Sequence, residues 1–142
     1  MPKRKFKLMF IDDDPDIRSI FDFAFDQEAD MEVRLFASSL DALSAAAAAP
    51  PDIILLDVMM PEMDGPNAFK RLKAIPALAR TPIVFITAKA QKHEIEKLEQ
   101  LGAAGVIEKP FQAMELPSRI RALLKRTSGA NLPAAGETKK SS

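Results

Sequence analysis

Residues 53–61 read Ile53-Ile54-Leu55-Leu56-Asp57-Val58-Met59-Met60-Pro61. Four apolar residues, two of them β-branched, run straight into one carboxylate. A short unbroken apolar run is the pattern of a strand buried on both faces, as in a parallel sheet. Asp57 stands where that strand ends. In open α/β sheets ligands collect outside the carboxyl ends of the strands, so an acid at that point is a candidate for chemistry. A loop-capping aspartate is the plainer alternative, and these nine residues alone do not separate the two.

The same pattern recurs on either side. Phe6–Ile11 is an apolar, β-prone run with one lysine, followed by Asp12-Asp13-Asp14-Pro15. Asp14 suits an N-cap and Pro15 the first helical position, where its missing N–H costs nothing. Ile17, Ile20, Phe21, Ala24 and Phe25 then recur at helical spacing as one apolar face. Met31–Phe36 reads as a second strand, with Val33 and Leu35 inward and Glu32 and Arg34 outward. Ser38 with Asp41 resembles a capping box. Leu40, Leu43 and the alanines to Ala49 make a second helix of high propensity whose small side chains favour close packing; Pro50-Pro51 ends it. The third strand is placed at residues 52–56. Turn chemistry in Pro61-Glu62-Met63-Asp64-Gly65-Pro66 leads to a third helix marked by Phe69, Leu72 and Ile75 and ended by Pro76. Ile83–Thr87 is a fourth buried strand. Ile95, Leu98 and Leu101 mark a fourth helix closed by Gly102. Gly105–Glu108 is a short fifth strand, and Leu116, Ile120, Leu123 and Leu124 mark a fifth helix. Pro117 would break a helix interior, so regular helix is expected to begin near Leu116. From Thr127 to Ser142 periodicity stops, which predicts a flexible tail or linker stub after a domain spanning residues 1–126. Five alternating strands and helices predict a doubly wound parallel α/β sheet with helices on both faces.

Composition narrows the function classes. The chain has 142 residues, enough for one domain with a substantial core, and is 47% hydrophobic. Twenty basic residues balance twenty acidic ones, which argues against a general field for nucleic acid or membrane. The absence of cysteine excludes disulfides, thiolate metal sites and cysteine nucleophiles, and fits the cytoplasm. No apolar run approaches the ~20 residues of a membrane span. Lys3-Arg4-Lys5 precedes an apolar stretch, but that stretch is too short for a signal peptide and three aspartates follow it.

Four of the five strands end in a chemically capable group: Asp12 and Asp13, Asp57, Thr87, and Lys109. In a parallel sheet those ends share one edge. Three crowded carboxylates repel, each pair by about 4 kcal/mol at ~4 Å and an effective dielectric near 20. Either a proton or a hard cation relieves that. Oxygen donors and an open site favour Mg²⁺, with room left for a phosphoryl oxygen. An ammonium from Lys109 and a hydroxyl from Thr87 around one carboxylate suit a phosphoryl group arriving there. Taken singly, each residue also has a structural reading: a helix-entry turn, a β-former at a strand end, a surface lysine paired with Glu108. Jointly these would be unrelated accidents at one edge.

Phe10-Ile11-Asp12-Asp13-Asp14-Pro15, Leu55-Leu56-Asp57-Val58-Met59-Met60-Pro61, Asp64-Gly65, Ile86-Thr87-Ala88 and Lys109-Pro110-Phe111 together resemble the response-regulator receiver domain, the CheY-like family. The resemblance covers residues 5–126. It implies a (βα)5 flavodoxin-like fold with strand order 2-1-3-4-5, an order for which that family is the type example and which the residues themselves do not give. It implies that Asp57 is the phosphoacceptor for a sensor histidine kinase, a histidine phosphotransfer protein or a small donor such as acetyl phosphate. Mg²⁺ would be held by Asp13, Asp57 and the Met59 backbone carbonyl, with Asp12 acting mostly through water. Lys109 would pair with Asp57 and then the phosphoryl group, Thr87 would move toward that group as part of the switch, small Ala88 would leave it room, and Lys109-Pro110 would be cis. Such a chain catalyses only its own phosphorylation and dephosphorylation and is not an enzyme toward other substrates. It would be a cytoplasmic monomer or weak dimer, either stand-alone or part of a longer regulator. It would switch binding of a downstream protein, with no direct contact to nucleic acid or membrane.

Three positions depart from the family. Val106 stands at the switch position where an aromatic ring usually swings inward, and valine has no ring to move. Gln112 replaces a common capping aspartate, and Pro117 falls in a helix that is usually uninterrupted. An unusual output surface around the fourth helix, fifth strand and fifth helix is therefore expected. Among other residues, His93 is expected to face solvent, Met59, Met60 and Met63 to border the Asp57 loop, and Lys89 to lie at the site rim. A haloacid-dehalogenase-type phosphohydrolase is the competing class, since Asp12-x-Asp14 follows a strand; Asp16 is wrong for its motif and Asp57 would have no role. A fold-only interaction module would have no use for this acid, hydroxyl and amine set. A flavin protein would need a phosphate-binding loop where the acidic turn stands.

Overall fold

The computed structural model describes residues 5–130, with side-chain surroundings through residue 126. The strands are β1 (Phe6–Ile11), β2 (Met31–Phe36), β3 (Ile53–Asp57), β4 (Ile83–Thr87) and β5 (Gly105–Glu108). The helices are α1 (Pro15–Asp26), α2 (Ser39–Ala48), α3 (Gly65–Lys73), α4 (Lys92–Leu101) and α5 (Leu116–Ala130), with short 3-10 turns at Pro76–Leu78 and Ala113–Glu115. All strand pairs are parallel and the order is β2-β1-β3-β4-β5. The chain thus winds outward from β1 to β2, returns past β1, and winds the other way through β3, β4 and β5.

Strand residues alternate between two cores. Leu8, Phe10, Ile53, Leu55, Val84, Ile86 and Ile107 pack with α1 and α5 on one face. Met9, Ile11, Ile54, Leu56, Ile83 and Phe85 pack with α2, α3 and α4 on the other. Every β3 and β4 residue is buried because both faces are covered, which is why these strands read as unbroken apolar runs. Phe10 stacks on Phe21 at 4.0 Å between ring centroids and Phe21 on Phe25 at 4.7 Å, locking α1 to β1.

Several local expectations need correction. The third strand ends on Asp57 instead of beginning at Asp52. Asp52 instead clasps β1: its N–H donates to the Lys7 carbonyl and its carboxylate accepts from the Lys7 N–H, each at 2.7 Å. Ile20 is 43% exposed, because it sits about 100° around α1 from Phe21. Leu40 is half exposed, since α2 meets the sheet through Ala42 and Ala46, both fully buried, and Leu40 falls on the opposite face. Pro117 does not interrupt α5. It is the second residue of the helix, where N–H groups have no intrahelical partner to lose. A 3-10 turn replaces the missing aspartate cap, with the Glu115 N–H donating to the Gln112 carbonyl and no side-chain bond from Gln112. The helix also runs to Ala130, four residues past the end of its apolar periodicity; no proline intervenes before Pro133. The rest of the expected tail, residues 131–142, lies outside the described residues.

Candidate functional site

The sheet ladder delivers the site residues to one edge. Asp12 continues β1, its N–H donating to the Phe36 carbonyl at 3.0 Å; Val58 extends β3 to Ile86 at 3.0 Å; and Lys109 extends β5 to Thr87 at 2.8 Å. Asp57 pairs in register with Ile86, and Thr87 with Glu108. Carboxylate oxygens of Asp12, Asp13 and Asp57 lie within 4.8 Å of one another. Asp12 and Asp57 are buried and Asp13 is exposed.

One ammonium serves both buried acids. Lys109 Nζ stands 3.0 Å from Asp12 Oδ2 and 3.2 Å from Asp57 Oδ1. The resemblance implies an Asp57 partnership; the bond to Asp12 becomes visible only in three dimensions. Burial, and then the charge of Asp12, push the Asp57 carboxyl up to about 6, against the lowering effects of the Lys109 ammonium and the Met59 backbone N–H. For Lys109, burial alone would lower the ammonium, but its bonds to Asp12 and Asp57 and their charges outweigh burial and raise it. The cluster therefore holds more negative charge than its one lysine offsets. Its all-oxygen donor set fits a hard divalent cation.

Neighbouring residues shape this cluster. Asp12 Oδ1 accepts the Asp14 N–H at 2.9 Å, and Asp14 caps α1 through the Asp16 N–H at 2.9 Å. Arg18, which the sequence reading passed over, donates from Nη1 to the Asp12 carbonyl at 2.8 Å and ties the acidic turn to α1. No spacing rule marks it, because the contact depends on how the turn folds back over the helix. Gly65 was read as turn chemistry. A Cβ there would meet Val58 Cα at 2.8 Å and the Asp57 carbonyl oxygen at 2.9 Å, so α3 can start this close to the site only from a glycine. Asp64 caps that helix through the Asn67 N–H at 2.9 Å.

Thr87 is buried at the edge, but its hydroxyl is engaged locally. Oγ1 accepts the Lys89 N–H at 3.0 Å and donates to the Lys89 carbonyl at 3.3 Å. Val106 is half-buried and packs against the core that includes Leu98. Lys109-Pro110 is cis. Met60 is buried, Met63 half-buried and Met59 62% exposed. Ala88, Lys89 and His93 are exposed, and His93 Nε2 lies 3.3 Å from Glu94. Among the described residues no helix is long and apolar enough to cross a membrane.

The family model of the response regulator receiver domain matches residues 8–121. The chain belongs to the response regulator receiver family. This receiver is 35% identical over 124 residues to the response regulator SaeR of Staphylococcus epidermidis, covering 87% of this chain and 52% of that protein. It is 32% identical over 124 residues to the probable transcriptional regulator ycf29 of Porphyra purpurea, covering 87% and 58%. The chain thus spans about half the length of these relatives. The chemotaxis protein CheY4 of Vibrio cholerae superposes with a TM-score of 0.77 at 28% identity, covering 84% of this chain and 98% of that one. The Francisella response regulator 1452 receiver domain gives 0.78 at 26% identity, covering 87% and 99%. The receiver therefore belongs to two-component signalling and to a family of response regulators, not to a classical enzyme family.

Proposed function

We propose that this receiver is a phosphorylation switch with Asp57 as phosphoacceptor. An Asp57 carboxylate oxygen attacks the phosphorus of a phosphohistidine on a sensor kinase or phosphotransfer protein, or of acetyl phosphate. The bond from phosphorus to the donor breaks, the donor leaves with the electron pair, and an acyl phosphate forms on Asp57. Asp13, Asp57 and the Met59 carbonyl would hold Mg²⁺, with Asp12 reaching it through water. When bound, the ion supplies positive charge against the phosphoryl oxygens. Lys109 keeps its hold on Asp12 while its other bond passes from Asp57 to a phosphoryl oxygen. Thr87 gives up the Lys89 carbonyl for the phosphoryl group, which loosens the turn into α4. Val106 contributes no ring rotation, so the signal leaves through that turn and α4 toward a downstream protein. Hydrolysis of the acyl phosphate resets the switch, and no independent substrate is turned over. The cytoplasm and a monomeric or weakly dimeric state fit this reading.

The observation that carries it is the single Lys109 ammonium shared by two buried carboxylates beside a third acid. Three carboxylates against one ammonium leave two positive charges too few, a deficit that a divalent cation would fill. Mass spectrometry after incubation with acetyl phosphate and Mg²⁺ tests it. One phosphoryl increment is expected, mapping to the peptide that holds Asp57 and absent from Asp57→Asn. An undiminished adduct in Asp57→Asn, or one on Asp12, overturns the assignment.

A further inference from the structure

Beside the acidic edge, between the start of α3 and one face of α4, lies a cavity of about 440 Å³. Its walls are Val58, Met59, Pro66, Leu98 and Leu101, with Thr87 of the candidate site at one side. Small-molecule sites run to roughly 300–1,000 Å³, mostly apolar with a few convergent polar groups, and this cavity has both properties. Its construction follows from the sequence. Glu94, Lys97, Leu98 and Leu101 recur at the spacing of one helical face. Gly65 brings the first turn of α3 against Val58, so that Pro66 forms part of the opposite wall.

The polar groups decide the kind of guest. Lys89 and Lys97 line the cavity with Glu94, two basic residues against one acidic residue. An anionic guest would be drawn to that excess positive charge and a cationic one repelled by it. We propose that this cavity binds a small apolar monoanion, an aryl or branched alkyl carboxylate, and that the guest restrains the phosphoacceptor. The restraint follows from shared residues. Met59 walls the cavity while its backbone N–H favours the Asp57 carboxylate. Lys89 lines the cavity while its backbone holds the Thr87 hydroxyl. A guest pinned by Lys89 against Met59 favours this arrangement of the Thr87 turn and opposes its release. The restraint rests on the reading of Asp57 as phosphoacceptor; the binding does not.

Titrating ¹⁵N-labelled chain with 1-naphthoate, and with 1-naphthalenemethanol and 1-naphthylmethylammonium as neutral and cationic controls, tests both halves. Naphthoate should shift the amides of Met59, Thr87, Leu98 and Leu101 and bind about fivefold or more tighter than the alcohol. Lys97→Glu, at an exposed position, should erase that preference, and Leu101→Trp should fill the cavity and abolish binding. Equal affinity for the alcohol or the ammonium, or shifts centred elsewhere, overturns the site. Saturating naphthoate should also slow acetyl phosphate labelling of the wild type several-fold and leave labelling of Leu101→Trp indifferent to it. An unaltered wild-type rate overturns the restraint. A chain that binds naphthoate yet takes no phosphoryl group on Asp57 overturns the phosphoacceptor reading, and the restraint with it, while the binding site stands.

Discussion

Asp57 keeps its proton to about pH 6, where an ordinary aspartate gives it up near 3.8. The folded chain therefore binds this proton more tightly than the unfolded chain does. Its stabilising contribution is complete below 3.8 and is lost as pH rises to 6, amounting to about 3 kcal/mol at 1.36 kcal/mol per unit. Wild type and Asp57→Asn should thus have similar stability near pH 4. By pH 7 in metal-free buffer, Asp57→Asn should be more stable by up to about that amount, as read by urea denaturation. Mg²⁺ should narrow the gap by stabilising only the wild type, and its affinity should weaken as pH falls below 6. Lys109→Met removes the ammonium that bridges Asp12 and Asp57. A loss of about 3 kcal/mol is expected at pH 8, as for one partner of a buried pair, with most of it recovered at pH 5. Equal losses at both pH values would mean that Lys109 acts by packing and not by charge.

Most elements were legible because local chemistry and tertiary need agree. Asp14 and Ser38 cap helices as their positions suggest, and the unbroken apolar strands are buried on both faces. What periodicity does not encode is which angle of a helix meets the sheet, so Ile20, which shares the apolar spacing of α1, lies outward. Nor does spacing encode a contact made through a turn, which left Arg18 and the Asp12–Lys109 bond unread. The α2 interface rests on alanines with no room above them. Ala46→Leu should cost about 1–3 kcal/mol by overpacking, measured by chemical denaturation, whereas Leu40→Ala on the same helix should stay within about 0.5 kcal/mol. Gly65→Ala forces backbone apart beside Asp57. It should slow acetyl phosphate labelling as well as lower stability, and an unchanged labelling rate would show that the shift is absorbed inside α3.

Across the whole molecule, the last helix is tied to the first half of the chain by Arg121. Its Nε and Nη2 donate to the Asp30 carboxylate at 3.0 and 2.8 Å, and Nη2 also reaches Glu28. The group is well exposed, so Arg121→Ala should cost less than about 1 kcal/mol, shrinking further in 1 M salt. A large, salt-independent loss in the same denaturation assay would show that its aliphatic stem packs more than its charge binds. Two bonds of the site also join distant parts of the chain: Lys109 reaches Asp12 across 97 positions and Asp57 across 52. A ribosome making this protein completes both acids long before it reaches the amine that reconciles them. Until β5 docks on the sheet's rim, water alone answers Asp12 and Asp57, and the pocket that gathers them lacks its ammonium.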